Sequence, residues 1–469
     1  MRGSLAIAAL VAVAGVAAAL TYGSYTTERQ FVRLVAQGDA AADRGQRFEA
    51  LEAYSGALAL VPDAVVPYLK RGRLYHEEGE AEAALRDLRR AAELDPSATR
   101  PLEWMGDISL ELGRADRAAD YFERAFAIDD RRADLAYKVG LARYRAGRPD
   151  EATVALESAL VLDEDLAEAR FLLGLCQRDQ EDWPAARATL ELVVKSQPAA
   201  TAPRDALIEV YRALGETNRM LDQLEAVTLL EPDRPERVVA AGLAYAEAGR
   251  DGQAVATLGR AAERFPDSPV ALGALGRVWL EQAERRDDRV ALAKALEALG
   301  AAATRGAVSG AVLADLGRAW LMAGDLAEAE RTLRQAVARR PAEPSAFLDL
   351  ASVAERQGRP QEARDALLQH LGLIGDGAPV GPLALRVAEL SVRIGEPRRA
   401  IRWAERAIAE AGESGDALAV LAEAALNVGD RTRADAAVTE GLRRAPGHPR
   451  LLRLRRQLAV TTASRGDVR

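Results

Sequence analysis

The sequence has one cysteine, Cys176, and three histidines, His76, His370 and His448. A lone thiol forms neither an internal disulfide nor a cysteine-based metal cluster. No two histidines stand at a metal-ligand spacing, so no metal site is expected. There is no phosphate loop of the form G-x-x-x-x-G-K-[ST], and no strand-turn-helix context for a nucleophile elbow. The glycine-rich stretch Gly372 to Gly381 follows no strand and reads as a flexible joint between units rather than a phosphate cradle. Acidic pairs such as Glu77 and Glu78, Asp129 and Asp130, or Asp287 and Asp288 read as solvated turns and helix faces. No catalytic residue, cofactor or small-molecule substrate is therefore expected. Charge of one sign is also lacking. With 71 acidic and 63 basic residues the net charge is −8, which gives no concentrated positive face for nucleic acid. Aromatics make up only 5% of the chain.

What is present favours helices. Ala, Leu, Arg and Glu are abundant, and these side chains lose little freedom in a helix. Arg2 precedes an uncharged run from Gly3 to Thr27, with an apolar heart from Leu5 to Leu20. A basic start followed by such a run is the pattern of a secretory signal. Leu5 to Tyr22 is also just long enough to span a bilayer, with Tyr22 and Tyr25 placed for its interface. Ala17 and Ala19 offer a small-x-small cleavage pattern instead. Residues 1–27 are thus read as a signal anchor or a cleaved signal peptide. Arg29, Arg33, Arg44 and Arg47 on the far side leave the orientation open.

Glycines recur at a fixed step of 34 residues: Gly45, Gly79, Gly113 and Gly147, then Gly215 and Gly249, Gly324 and Gly358, Gly395 and Gly429. Ala50, Ala84, Ala118, Ala152 and Ala186 keep the same step. Such a period marks a repeat architecture. Counting from Phe31 gives twelve units: 31–64, 65–98, 99–132, 133–166, 167–200, 201–234, 235–268, 269–309, 310–343, 344–380, 381–414 and 415–448. Position 8 is small in eleven of them, position 20 is Ala in eleven, position 15 is Gly in ten and position 32 is Pro in seven. Small residues at positions 8 and 20 let two helices of a hairpin approach closely. Gly at position 15 ends the first helix in a left-handed conformation, and Pro at position 32 stops the second. One hairpin does not bury its own apolar stripe, so neighbours must stack. Residues 284–290 are an insertion in the eighth unit, either a recognition loop or a tolerated extension.

The unit resembles the tetratricopeptide repeat. Tyr68, Gly72, Tyr75, Ala84, Leu88, Ala91 and Pro96 carry the resemblance most fully, and Gly317, Trp320, Ala329, Leu333, Ala336 and Pro341 repeat it. The resemblance implies an all-α fold, a right-handed superhelical α-solenoid of helix-turn-helix repeats preceded by one amino-terminal hydrophobic helix. Repeats 1–8 then occupy 31–309 and repeats 9–12 occupy 310–448. A capping helix follows at 449–463, with Leu451, Leu454 and Leu458 on one face, and 464–469 form a tail. Arg450, Arg453, Arg455 and Arg456 are either solvated there or hold a partner.

The resemblance also implies a non-catalytic protein–protein interaction scaffold at the bacterial cell envelope. Its body is expected in the inner membrane with exported, periplasmic repeats, or free in the periplasm or secreted if the signal is removed. The implied partners are other proteins or peptides, and the membrane through residues 5–22 if they are retained. A self-assembling component of an envelope secretion, pilus or polysaccharide-export complex is the alternative. An accessory subunit of a glycosyltransferase or peptidase stands behind both. Within the family, positions 2, 5, 9, 12 and 13 of each first helix face the concave groove. No Asn or Lys stands at any ninth position, which does not fit capture of a chaperone tail. The candidate groove patch is Tyr137, Leu141, Tyr144, Phe171 and Leu175, with Arg145 and Arg178 beside them. The other reading has Tyr137 and Phe171 packing between neighbouring hairpins.

Overall fold

The computed structural model describes the backbone of residues 2–305, 308–375 and 380–466, and the side chains of 22, 24–305, 308–375 and 380–459. Among the described residues there are 25 helices and no strand, an all-α solenoid of paired helices. The chain divides into two compact units, Met1–Leu230 and Glu231–Arg469.

The first unit holds α1 (Arg2–Asp43), α2 (Arg47–Leu60), α3 (Val65–Glu77), α4 (Ala81–Leu94), α5 (Thr99–Glu111), α6 (Ala115–Ile128), α7 (Ala133–Arg145), α8 (Pro149–Leu162), α9 (Ala167–Asp179), α10 (Trp183–Ser196), α11 (Thr201–Ala213) and α12 (Thr217–Leu230). The second holds α13 (Pro235–Glu247), α14 (Asp251–Arg264), α15 (Pro269–Arg286), α16 (Arg289–Ala303), α17 (Gly310–Ala323), α18 (Leu326–Val337), α19 (Pro344–Arg356), α20 (Pro360–Leu373), α21 (Gly381–Arg393), α22 (Pro397–Ala411), α23 (Gly415–Asn427), α24 (Arg431–Arg444) and α25 (Pro449–Gly466).

Each odd-numbered helix from α1 to α23 is the first of a hairpin and packs on the helix that follows it. First helices also touch first helices of the next repeat, as α7 does α9 and α21 does α23. First helices therefore form one layer of each unit and second helices the other.

The turns explain themselves chemically. Gly113 has φ +70°. Its N–H donates to Leu110 at 3.0 Å and the next N–H, of Arg114, donates to Ser109 at 2.7 Å, which satisfies carbonyls left open at the end of α5. Position 8 makes room for something the spacing did not identify. A Cβ on Gly140 would lie 2.6 Å from Leu156 Cγ, so the glycine accommodates the position-24 side chain of the second helix. The backbone at Ala152, the position-20 residue, is farther, at 3.4 Å. Leu156, Leu190, Leu258 and Leu333 fill that slot in four repeats and are fully buried. Where position 8 is Ala388, the facing residue is the smaller Ala404, and both are fully buried.

Two elements differ from the sequence expectation. α1 runs unbroken from Arg2 to Asp43, so the apolar stretch and the first helix of the first repeat are one helix; no proline separates them. The inserted residues 284–290 form no loop. They lengthen α15 to 18 residues, against 13 for α13, and only Asp287 and Asp288 remain as the turn. Their charge is used internally: Arg285 and Arg286 each reach the Asp251 carboxylate at 3.0 Å, and Asp288 caps α16. Of the glycine-rich joint, residues 376–379 lie outside the described residues.

Among the described residues no helix is long and apolar enough to cross a membrane. The expected signal or anchor at 5–22 falls almost wholly on side chains outside the described ones.

Candidate partner-binding groove

First helices of successive repeats are tied by a pairing 31 residues apart, from position 9 of one to position 6 of the next. Asp39 meets Lys70 at 2.6 Å, Asp107 meets Lys138 at 2.8 Å and Arg318 meets Asp349 at 3.0 Å. Across the insertion Arg277 meets Asp315 at 2.8 Å in the same way. The partly exposed Asp39–Lys70 and Asp107–Lys138 pairs contribute on the order of 1 kcal/mol or less each. Their structural effect is to hold positions 9, 12 and 13 in line along the exposed side of the first-helix layer.

In the first unit those positions meet in an open cavity of about 580 Å³. α3 contributes Arg73, His76 and Glu77; α5 contributes Asp107, Leu110 and Glu111; α7 contributes Leu141 and Arg145. Trp104 of α5 joins them and is half-buried against Met105, Ile108 and Leu88. Most of the charges here are paired. Arg73 holds Glu77 at 2.9 Å, His76 Nε2 lies 2.6 Å from Glu111, and Lys138 holds Asp107. Arg145 is exposed and has no ion-pair or hydrogen-bond partner among the described residues.

The sequence-predicted patch is divided by this geometry. Leu141 and Arg145 line the cavity. Tyr137, Leu141, Tyr144 and Leu175 are half-buried and pack on the core between hairpins formed by Leu156, Leu172 and Leu173. Tyr144 donates its hydroxyl to Asp179 at 2.9 Å; burial, then that carboxylate, push its phenol above the usual range. Burial likewise raises the Tyr137 phenol. Arg178 is bound to Asp179 at 2.8 Å and to Glu209 at 3.0 Å. Burial works against its charge, yet those carboxylates hold it above its ordinary value. Phe171 is half-buried.

Trp104 was missed because position 6 is outside the groove set the family resemblance implies. The signal was in the sequence: opposite charges at Asp39 and Lys70, and again at Asp107 and Lys138, show that position 6 faces the ninth position of the preceding repeat. Trp104 stands in that place opposite Arg73.

A family model described as Tetratricopeptide repeat matches residues 69–134, 137–201 and 315–379, and a second of the same description matches 239–268. The chain is a tetratricopeptide repeat protein. Its repeats belong to a class of protein-interaction scaffolds and to a fold that is generally non-catalytic. No curated protein matches this TPR chain. Among solved structures it is similar to YrrB, a TPR protein with an unusual peptide-binding site. The identity is 25% over 41% of this chain and 98% of that one, with a TM-score of 0.37. It is also similar to pilF of Pseudomonas aeruginosa, at 16% identity over 48% of this chain and 99% of that one, with a TM-score of 0.36. A chain of the APC/C Cut9–Hcn1 hetero-tetramer is 13% identical over 91% of this chain and 96% of its own, with a TM-score of 0.38.

Proposed function

We propose that this TPR protein is a non-catalytic adaptor that holds a segment of a partner protein in the groove formed by α3, α5 and α7. An apolar side chain of the partner rests on Trp104, Leu110 and Leu141, and a carboxylate or carbonyl is taken by Arg145. The observation that carries this reading is the unpaired guanidinium at the edge of a half-apolar cavity whose other charges are mutually satisfied. An aromatic anchor beside an arginine is the composition that dominates binding energy at protein interfaces.

The reading extends to location. Arg2 followed by the apolar run Leu5 to Leu20 supports export to a bacterial envelope, with the repeats outside the cytoplasm. Fractionation together with sequencing of the mature amino terminus separates a retained anchor from a cleaved signal. Recovery of the intact protein from the cytoplasm contradicts both.

Arg145→Glu tests the groove. The side chain is exposed and unpaired, so the melting temperature stays unchanged. Affinity for a captured partner falls roughly tenfold or more, because attraction becomes repulsion at the anchor. Unchanged affinity in the folded variant overturns the reading.

A further inference from the structure

The second unit ends on a helix that continues the repeat count. Pro449 of α25 stands 34 residues after Gly415, the first residue of the last full repeat. Leu451, Leu454 and Leu458 are 0%, 6% and 7% exposed, so α25 packs in the register of the first helix of a thirteenth repeat. That register separates the arginines of α25 into two groups. Arg450 and Arg453 fall at positions 2 and 5 and line an open cavity of about 670 Å³. Arg455 and Arg456 are exposed elsewhere.

The same positions that form the first groove build this one. Positions 9 and 13 supply Glu389 and Arg393 from α21, and Glu423 and Asn427 from α23. Arg450 reaches Glu423 at 2.6 Å and Glu389 at 3.6 Å, so a single guanidinium serves both carboxylates. Arg393 and Arg453 are exposed and have no partner among the described residues; Asn427 likewise offers an unused amide. Val392, Leu426 and Leu454 supply the apolar lining between them.

We propose that this cavity is a second binding site, which takes an acidic and aliphatic peptide segment of a partner protein. Arg393 and Arg453 receive a side-chain carboxylate, the Asn427 amide serves the peptide backbone, and a neighbouring aliphatic side chain covers Val392, Leu426 and Leu454. Three guanidiniums against two carboxylates make a weakly positive site. That balance suits a single carboxylate. It does not suit a phosphate backbone, which Glu389 and Glu423 repel and which has no use for the apolar lining. The site lies in the second unit and is independent of the groove at Arg145.

The test is peptide selection on the full chain, run in parallel on the Arg393→Glu/Arg453→Glu variant. Peptides enriched only on the unmodified chain are made with a fluorescent label and titrated. They are expected to carry Asp or Glu beside Leu, Ile or Val. Their affinity drops at least tenfold in the variant and is unchanged in Arg455→Glu/Arg456→Glu, whose residues stand outside the cavity. Arg145→Glu also leaves them bound, which separates this site from the first groove. The proposal is overturned if no peptide distinguishes the two chains, if those that do lack acidic residues, or if Arg455→Glu/Arg456→Glu weakens them equally. Displacement of the peptides by a single-stranded oligonucleotide overturns it as well. All substituted side chains are exposed, and unchanged circular dichroism verifies the fold of each variant.

Discussion

Gly140 and Leu156 show how one residue's size is set by another 16 positions away. Leu156 is fully buried and occupies the space where a Cβ on Gly140 would stand. Gly140→Ala overpacks that contact and is expected to cost about 1–3 kcal/mol. Leu156→Ala costs about 2–5 kcal/mol by leaving a cavity. The double variant, which copies the Ala388 and Ala404 pair, loses clearly less than the sum of the two. Strict additivity in denaturant unfolding would contradict the size exchange. Small residues at position 8 were legible from the period alone. What they make room for was not, because spacing along one chain does not say which side chain reaches across a hairpin. Cys176 was legible only as a lone thiol. The structure buries it fully, and burial pushes its thiol up to about 12. A disulfide reagent at pH 8 should therefore label it only as fast as its hairpin opens. Labelling at the rate of a free thiol would show the site to be open.

Each hairpin turns through one residue with positive φ, and ten of these are the glycines of the period. The fifth repeat has Glu181 there instead, at φ +60°, and the extended eighth hairpin has Asp287 at φ +50°. A left-handed conformation costs a residue with a side chain about 1–2 kcal/mol. Glycine removes that strain but loses about 0.5–1 kcal/mol to its freer unfolded chain. Glu181→Gly should then stabilise the protein by up to about 1 kcal/mol, read as a rise in melting temperature. A clear loss of stability would mean the turn is not strained. The turn position was plain in the sequence, and so was the presence of seven extra residues near 284–290. Their effect was not. Counting shows that residues were added, but whether they form a loop or lengthen two helices depends on capping. Here Asp288 accepts from the N–H groups of Val290 and Ala291 and starts α16 early.

Within each unit, contacts run from a helix to its neighbour and to the first helix of the next repeat. Stability is then a sum of hairpins and their interfaces. The candidate patch was half legible for that reason. Leu141 and Arg145 were placed by repeat position alone and do line the groove. Tyr144 and Arg178 satisfy their polar groups on Asp179, which a list of groove positions does not reveal. The sequence leaves the arginines of α25 either solvated or holding a partner. The register of that helix sends Arg450 and Arg453 into a cavity and leaves Arg455 and Arg456 outside it. The central claim is that partners meet the first-helix layer. A photo-crosslinking amino acid placed in turn at Arg73, Leu110 and Arg145, and at Arg89, Arg124 and Leu192 on the second helices, tests it most directly in living cells. The account predicts that the same partner is captured from the first set and not from the second. Equal capture from both sets, or capture only from the second helices, would contradict it.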